Sequence, residues 1–398
     1  MADSEGAGAL GRTRRAVIAG AGIAGLAASL RLHRDGWKVL VVERSPTRRS
    51  SGYMVNLVGA AYDAIARFGL VAALQPRDIG FFTTILVHAD GREKLTVPPE
   101  IAQAGLGDRA LTVFRGDLET ALYEAVADRV PIRFGTTVRT ADEHADGVRV
   151  TFSDGGSEQA DLLVGTDGLH SGIRKLVADP AAESLVRLNY VMAALPLTEA
   201  PPGVPENAAT NFIGPGRTAA VVNMGPNRSS AFFVQHTDDP ASAVAAGPAA
   251  TLTAAFGDLH GGVPQVLRRI ESDPGAVYFD ELSQVRLDRW SNGRIVLLGD
   301  AAWCVTPFAG HGVGLAVAGA DRLGAALAET SDIPAALARW ESALRPEVRK
   351  RQAMARKGAH RFVPVTKAQV RMNEVMLQAI QLPVIRGLIR RSVQRANR

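Results

Sequence analysis

The pattern of apolar and polar positions near the amino terminus predicts one βαβ unit. Ala16–Ala19 is a continuous apolar run typical of a buried parallel strand, residues 23–35 have helical periodicity, and Lys38–Glu43 is a second buried strand. Residues 1–13 are rich in Gly and Ala and lack periodicity, so we expect a disordered lead-in there. Ordered structure is therefore expected from about Arg15 onward.

Further along the chain, the pattern first predicts an antiparallel sheet and then again predicts a buried strand followed by a helix, as in the βαβ unit. Alternating runs over residues 189–197, 218–224 and 231–236 predict short strands of an antiparallel sheet. A buried strand over residues 294–299 then leads through a glycine-rich stretch into a helix that ends near residue 330. The other predicted elements are helices over residues 58–67 and 118–127 and strands over residues 132–134 and 148–152.

The predicted fold class is α/β, with a discontinuous Rossmann-like cofactor domain, an inserted antiparallel substrate-binding sheet and a helical carboxyl terminus. The predicted boundaries are residues 14–70, 105–182 and 285–332 for the cofactor domain, 71–104 and 183–284 for the inserted sheet, and 333–398 for the helical region. Within the helical region we expect Pro346, Pro364 and Pro383 to break helices, because proline lacks the N–H that a helix interior uses.

Composition narrows the classes of protein to which the chain can belong. Its 398 residues, 46% of them hydrophobic, are enough to bury a substantial core. Its single cysteine, Cys304, excludes an intramolecular disulfide framework and a Cys-rich metal site, so we expect no metal and a cytoplasmic location. No apolar stretch approaches the ~20 residues of a membrane span.

Positive charge gathers at the carboxyl terminus. The basic residues there are Lys367, Arg371, Arg386, Arg390, Arg391, Arg395 and Arg398, against Glu374 alone. Such a tail is compatible with contact to nucleic acid or anionic lipid. Because no aromatic residue interleaves these charges, we expect no nucleic-acid binding and interpret the tail as a solvated helix face.

A dinucleotide-binding fingerprint lies between the first predicted strand and helix. Gly20 permits a tight turn, Gly22 lets the backbone approach a pyrophosphate, and Gly25 allows the helix to pack closely on the sheet. The helix amino terminus supplies amide donors to the phosphates, and Glu43 is expected to accept hydrogen bonds from a ribose. The fingerprint predicts a bound dinucleotide without separating NAD from FAD.

Two further motifs end buried strands in turns that present polar groups. Residues 161–174 run from an apolar strand into a turn that carries Asp167, Ser171 and Arg174. A second buried strand ends at Asp300, whose carboxylate is suited to binding a ligand hydroxyl. The glycines that follow offer backbone N–H groups to a flat polar ring at a helix amino terminus.

Together, the three motifs resemble those of the para-hydroxybenzoate hydroxylase family of class A flavoprotein monooxygenases, in the same order and at similar separations. The likeness extends from about Arg15 to Thr330. It implies FAD as the bound cofactor, NADPH or NADH as the electron donor, and O2 as co-substrate. By this resemblance the expected FAD-binding residues are Gly20, Gly22, Ala24, Gly25, Glu43, Arg44, Arg115, Asp167, Asp300, Gly310, Gly312 and Val313.

The resemblance also implies a chemistry. In the family, reduced FAD reacts with O2 to give a C4a-hydroperoxide, which transfers one oxygen atom to an electron-rich carbon. The expected activity is therefore oxygen insertion into a small aromatic or polyketide-like substrate. The protein's expected tasks are to hold the flavin ring, exclude water and position the substrate. By the same resemblance, Pro307, a candidate catalytic residue, and Phe308 are expected near the reactive edge of the flavin.

Three positions depart from residues common in the family. His311 stands in place of Gln, Gly314 in place of Asn, and Gly319 in place of an acid. We interpret these as subfamily differences that leave flavin binding intact.

The candidate substrate-binding residues are Tyr53, Asn211, His236 and Phe308. Tyr53 lies where the family has a flavin-contacting loop, and an ordinary strand position explains it equally well. Asn211 and His236 fall on predicted strands of the inserted sheet. His236 is also a candidate catalytic base for a phenolic substrate, although a lone histidine on such a strand is more often structural.

Two alternatives remain open at this point. One is a flavin-dependent reductase or dehydrogenase on the same scaffold, which needs no oxygen. The other is a non-catalytic flavin-binding sensor that reaches a partner through its basic tail. The expected partners are a small-molecule substrate, O2 and NAD(P)H, and the chain is expected to be a monomer or homodimer.

Overall fold

The structure is a computed structural model that describes residues 12–48, 53–101, 109–178 and 184–382. Its strands are β1 (Arg15–Ala19), β2 (Lys38–Glu43), β3 (Met54–Val58), β4 (Thr83–Val87), β5 (Glu93–Val97), β6 (Ala110–Phe114), β7 (Ile132–Phe134), β8 (Val138–His144), β9 (Gly147–Phe152), β10 (Ser157–Ala160), β11 (Leu162–Gly165), β12 (Leu185–Leu197), β13 (Ala208–Gly214), β14 (Arg217–Asn223), β15 (Ser229–His236), β16 (Tyr278–Val285), β17 (Ser291–Asn292) and β18 (Ile295–Leu297). Its α-helices are α1 (Ile23–Arg34), α2 (Ala60–Arg67), α3 (Val71–Leu74), α4 (Arg115–Val126), α5 (Arg174–Val177), α6 (Pro240–Ala246), α7 (Pro248–Phe256), α8 (Val263–Ser272), α9 (Asp300–Trp303), α10 (Gly312–Ala328), α11 (Ile333–Phe362) and α12 (Lys367–Ile380). None of these helices is both long and apolar enough to cross a membrane.

A six-stranded sheet forms the centre of the cofactor-binding region. Its strand order is β17-β18-β11-β1-β2-β7, and all pairs are parallel except the one between β17 and β18. Its central strands β1 and β11 are almost completely buried, which explains why their sequences are continuous apolar runs. The strands come from widely separated parts of the chain, so the discontinuous Rossmann-like fold predicted from the sequence is confirmed.

A seven-stranded sheet forms the inserted region, in the order β16-β12-β15-β14-β13-β4-β5. It is antiparallel apart from the parallel pair of β13 and β4. One face packs against α7 and α8, with Phe233 touching Phe256, while the neighbouring Phe232 faces the opposite side. The alternating sequence pattern predicted β12, β14 and β15, but the runs named from it did not include β4, β5, β13 and β16, and it did not predict α6, α7 and α8, which follow β15.

Pro346 lies inside α11, so the expected helix break at this residue is wrong. The hydrogen bond lost at the proline is offset by tertiary contacts on both sides of it. Arg345 donates a hydrogen bond to the Leu287 carbonyl at 2.8 Å, and Val348 is buried. Pro364 does lie between α11 and α12, as expected.

Several predicted boundaries move by up to one turn of helix. The helix expected over residues 58–67 begins at Ala60, because Val58 still pairs with Ala110 in the β3–β6 ladder. The helix expected over residues 118–127 begins earlier, at Arg115. Residues 1–11 of the expected lead-in and Pro383 lie outside the described residues. The domain boundaries stay a prediction.

Candidate active site

Two glycines of the fingerprint are required by the protein's own backbone. Gly20 has φ 114°, and a Cβ there would lie 2.6 Å from the carbonyl oxygen of Thr166. A Cβ on Gly25 would overlap the carbonyl oxygen of Gly20 and come within 2.7 Å of the Thr166 hydroxyl. These contacts join β1, α1 and the end of β11, so any side chain at either position forces the elements apart.

Gly22 is different, because the space beside it is open. It is the N-cap residue of α1, with φ −77°, and a Cβ there would meet no atom within 4 Å. No side chain caps the helix at this residue. Free amide donors next to open space at a helix amino terminus match the requirements of a pyrophosphate.

Glu43 shapes the loop at this helix end. Its two carboxylate oxygens accept hydrogen bonds from the backbone N–H groups of Ala21 and Ser45, both at 2.8 Å. Arg44 beside it is exposed. Because each carboxylate oxygen has a further lone pair, Glu43 can also accept hydrogen bonds from a ribose.

The first and third motifs touch each other. A Cβ added to Gly299, which precedes α9 and has φ 67°, would lie 2.8 Å from the Cβ of Ala24. The turn that presents Asp300 therefore packs directly on the fingerprint helix α1. Sequence positions about 275 residues apart thus form one continuous surface.

The second motif holds this surface together. The Asp167 carboxylate accepts hydrogen bonds within its own loop from the Ser171 hydroxyl at 2.5 Å and the Gly172 N–H at 2.7 Å. Arg174 is buried, and its guanidinium donates to the carbonyls of Leu169 at 2.8 Å and Ala301 at 3.0 Å. Arg174 thereby clamps the Asp167 turn to the residue that follows Asp300 in the sequence.

Asp300 belongs to the surface that the three motifs form, which we call the cofactor cleft. Its side chain has exposed surface, yet protein atoms surround it closely enough that lost solvation raises the pKa of its carboxyl. The nearby charges of Arg115 and Arg174 oppose this shift, and the Cys304 thiol donates a hydrogen bond to the carboxylate. Burial and the carboxylate together raise the pKa of Cys304, so the thiol stays protonated.

Arg115 connects Asp300 to two tyrosines and a buried acid. Its backbone N–H donates to the Tyr53 carbonyl at 2.8 Å, and its guanidinium donates to Glu119 at 3.0 Å. Burial raises the pKa of Glu119, and Arg115 opposes the shift. Lost solvation also raises the pKa of Tyr53 and Tyr278, both of which interact electrostatically with Arg115 and Asp300. Tyr278, on β16, was not predicted from the sequence.

The loop after α9 carries an unusual backbone. Thr306 has φ 70°, which is strained for a β-branched residue, and its buried hydroxyl has no hydrogen-bond partner among the described residues. A single 3-10 turn over Pro307–Ala309 follows and ends at Gly310, with φ 62°. The His311 ring contacts the Ala309 carbonyl, and burial lowers the pKa of His311. The expected ring-binding residues Gly310, Gly312 and Val313 thus lie at or next to the start of α10.

Gly314 and Gly319, two of the three positions that depart from residues common in the family, lie where helices and rings pack closely. A Cβ on Gly314 would lie 3.1 Å from the Cβ of Ala61, where α10 crosses α2. A Cβ on Gly319 would lie 3.1 Å from the Trp303 ring, and the Gly319 carbonyl accepts a hydrogen bond from the Trp340 indole at 3.0 Å. An acidic side chain at residue 319 would crowd the Trp303 ring.

Aromatic rings from four distant parts of the chain pack against one another beside this loop, in a cluster that we call the aromatic chamber. Tyr190 makes edge-to-face contacts with Phe308 at 5.0 Å and with His236 at 5.1 Å between ring centroids. Phe308 also contacts Phe362 at 5.6 Å. The Tyr190 hydroxyl is buried without a hydrogen-bond partner among the described residues, and burial raises its pKa.

Sequence reasoning identified only part of this chamber. Phe308 and His236 belong to it, and Tyr53 packs against the same cluster. Asn211 does not belong to it, because β13 lies two strands beyond β15 and the Asn211 amide donates to the Ala209 carbonyl of its own strand at 3.2 Å. Tyr190, the central ring, was missed.

Comparisons with known proteins agree on one family. A family model described as an FAD binding domain matches residues 13–336. A 2-heptyl-3-hydroxy-4(1H)-quinolone synthase from Mycobacteroides abscessus is 32% identical over 347 residues, which covers 85% of this chain and 88% of that protein. A flavin-dependent monooxygenase from an unknown prokaryotic organism is 27% identical and covers 86% of this chain and 88% of its own length. The crystal structure of Klebsiella pneumoniae HpxO with FAD and uric acid superposes with a TM-score of 0.76 at 25% identity, covering 96% of this chain and 97% of that one.

Proposed function

Because the chain belongs to the family of class A FAD-dependent monooxygenases, we propose that it uses NAD(P)H and O2 to insert one oxygen atom into a small aromatic or polyketide-like molecule. The observation that carries this proposal is the position of Phe308. This residue lies in the loop that follows Asp300, and its ring also packs against Tyr190 in the aromatic chamber. A cofactor ring held by that loop would therefore border a substrate held in the chamber.

The residues of the cleft fit FAD. The open space at Gly22 suits the pyrophosphate, and Glu43 and Arg44 suit the adenosine end. Arg115 and Asp300 offer a donor and an acceptor to the ribityl chain. When bound there, FAD supplies the electron transfer and oxygen activation that no side chain of the protein provides.

The chain's own residues would then position the substrate and exclude water. The rings of Tyr190, Phe308 and Phe362 offer apolar, flat surfaces, which suit a planar aromatic substrate. The buried Tyr190 hydroxyl lacks a partner, so a substrate oxygen that accepts its hydrogen bond would satisfy it. Because burial raises its pKa, Tyr190 acts as a donor and not as a base.

His236 remains the candidate base. Its ring touches the edge of Tyr190, so both side chains would contact the same end of a substrate. An imidazole at that point is placed to accept the proton of a phenolic hydroxyl. Pro307 would contribute to the wall of the site and not to proton transfer.

The test is oxygen uptake by the FAD-loaded protein in the presence of NADPH or NADH and a panel of phenols, quinolones and polyketides. We expect at least one panel member to stimulate oxygen uptake and to gain a single atom of ¹⁸O from labelled O2. Substrate reduction without oxygen would favour the reductase alternative, and flavin binding without any turnover would favour the sensor.

A further inference from the structure

The chain has an uneven distribution of charge. Residues 349–398 contain 13 of its 45 Lys and Arg residues but only one of its 40 acidic residues, Glu374. The preceding part of the chain is therefore net acidic, although the whole chain has a net charge of +5. A basic segment of this length on an otherwise acidic protein points to an anionic partner.

The second half of α11 presents part of this charge on one face. Lys350, Met354, Lys357 and Arg361 follow one another at intervals of three or four residues, which places them in one stripe along the helix. All four side chains are exposed, and Met354 is 46% exposed. No described acidic residue forms an ion pair with the three cations of this stripe.

α12 has two apolar faces, of which only one is packed. Val370, Asn373 and Leu377 lie against β4 and β13, and Lys94 of β5 pairs with Glu374. The opposite face carries Met372, Val375 and Met376, which are 66%, 58% and 40% exposed. Spacings of three and four residues place these three side chains in one stripe as well.

We propose that these two stripes form a carboxyl-terminal surface that binds anionic lipid bilayers. This surface consists of Lys350, Met354, Lys357 and Arg361 on α11 and Met372, Val375 and Met376 on α12. Its cations match the phosphates of anionic headgroups, and its thioether and aliphatic side chains match the acyl boundary beneath them.

The exposed apolar side chains favour a bilayer over a nucleic acid. Transfer of Met and Val side chains from water to the apolar part of a bilayer interface lowers the free energy. These side chains make no favourable contact with a phosphodiester backbone. Proteins that bind single-stranded nucleic acids stack the bases on aromatic rings, and none of the residues that define this surface is aromatic. Lys367 and Arg371 on α12 are exposed and add to the same positive field.

Such binding would place the enzyme where apolar substrates collect. The inference does not rest on the proposed oxidation, because it concerns a different surface with different residues. Failure of lipid binding would leave the flavin site untouched, and an inactive flavin site would leave lipid binding untouched.

The test is co-sedimentation of the full-length, FAD-loaded protein with vesicles. We expect binding to vesicles of phosphatidylglycerol mixed with phosphatidylcholine, little binding to phosphatidylcholine alone, and release by high salt. Lys350→Glu/Lys357→Glu should lower the partition coefficient by roughly tenfold or more, since each basic residue near an anionic surface contributes about fivefold. Met372→Gln/Val375→Gln/Met376→Gln should weaken binding without removing its salt dependence.

The matched control is Arg139→Glu/Arg268→Glu, which changes the net charge equally at two exposed positions on β8 and α8. We expect this control to bind vesicles almost as the unmodified protein does. All variants should keep the FAD content and melting temperature of the parent, which separates loss of binding from loss of fold. Equal binding to neutral vesicles, an equal loss in the control, or binding to a DNA or RNA oligonucleotide in place of vesicles would overturn the proposal.

Discussion

The cofactor cleft and the aromatic chamber meet at the turn Pro307–Ala309 but are built in different ways. The cleft is made from backbone turns at motif glycines, and its polar side chains include Glu43, Arg115 and Asp300. The chamber is made from rings, and it contains the buried Tyr190 hydroxyl, which has no hydrogen-bond partner among the described residues. The difference implies that cofactor affinity and substrate selectivity can be changed separately, and the following variants test that separation.

The largest effects are expected at the fingerprint glycines. Gly25→Ala should unfold or strongly destabilise the protein, by more than about 3 kcal/mol, because its Cβ overlaps the Gly20 carbonyl.

Gly22→Val should change the free energy of unfolding of the apoprotein by less than about 1 kcal/mol, because its side chain enters open space. It should nevertheless weaken FAD binding by roughly a hundredfold, since that space is proposed to hold the pyrophosphate.

Thermal melting of the apoprotein and FAD titration by fluorescence quenching measure the two quantities independently. If Gly22→Val bound FAD as tightly as the parent, the position proposed for the pyrophosphate would be wrong.

The next effect is expected at Arg115. Arg115→Met should destabilise the apoprotein by about 1–3 kcal/mol, because it leaves the buried Glu119 carboxyl without its partner. It should also weaken FAD binding by roughly tenfold to a hundredfold. Adding Glu119→Gln should restore most of the stability without restoring FAD affinity, as measured by urea unfolding and FAD titration. Recovery of both properties together would mean that Arg115 has only a structural role.

A smaller effect, confined to the chamber, is expected from Tyr190→Phe. The change removes a buried hydroxyl without a partner, so the stability of the apoprotein should stay equal or rise slightly. FAD affinity should stay the same, while KM for an oxygen-bearing aromatic substrate should rise about fivefold to tenfold because one hydrogen bond is lost. Steady-state oxygen uptake with a panel substrate measures this change. An altered flavin spectrum with unchanged KM would place Tyr190 against the cofactor.

The smallest effect is a dependence of stability on pH at Asp300. Its raised pKa means that ionisation of this carboxyl disfavours the folded apoprotein. The penalty is absent below the pKa of the unfolded chain and complete above the raised folded pKa. The stability of the parent relative to Asp300→Asn should therefore fall as the pH rises through this acidic window. Melting curves of both apoproteins across the window measure the difference, and a difference that rises with pH would contradict the sign.

The cleft was largely predictable because its signals are local in sequence. Gly20, Gly22 and Gly25 mark a strand-to-helix turn, and Asp300 lies just beyond the short buried strand that ends at Leu297. The resemblance of the motifs to class A flavoprotein monooxygenases is confirmed by the family match. The roles of single residues stay predictions, although the structure brings most of them to one surface.

The chamber was less predictable, because it depends on strand register and on contacts between distant residues. A β-bulge between Arg187 and Val191, with Asn189 at φ 62°, interrupts the alternation of β12 just before Tyr190. Simple alternation therefore cannot assign Tyr190 to a face of the sheet. The tolerance of Asn for positive φ was the one local signal of this bulge. Nothing in the sequence shows that Phe362 meets Phe308.

The most direct test of the account is the visible absorption spectrum of the purified protein after incubation with FAD and removal of unbound cofactor, recorded beside the Gly22→Val variant. We expect oxidised-flavin bands that correspond to one FAD per chain in the parent, and we expect the variant to lose them. A colourless parent protein that does not take up FAD, or a variant that retains the full flavin spectrum, would contradict it.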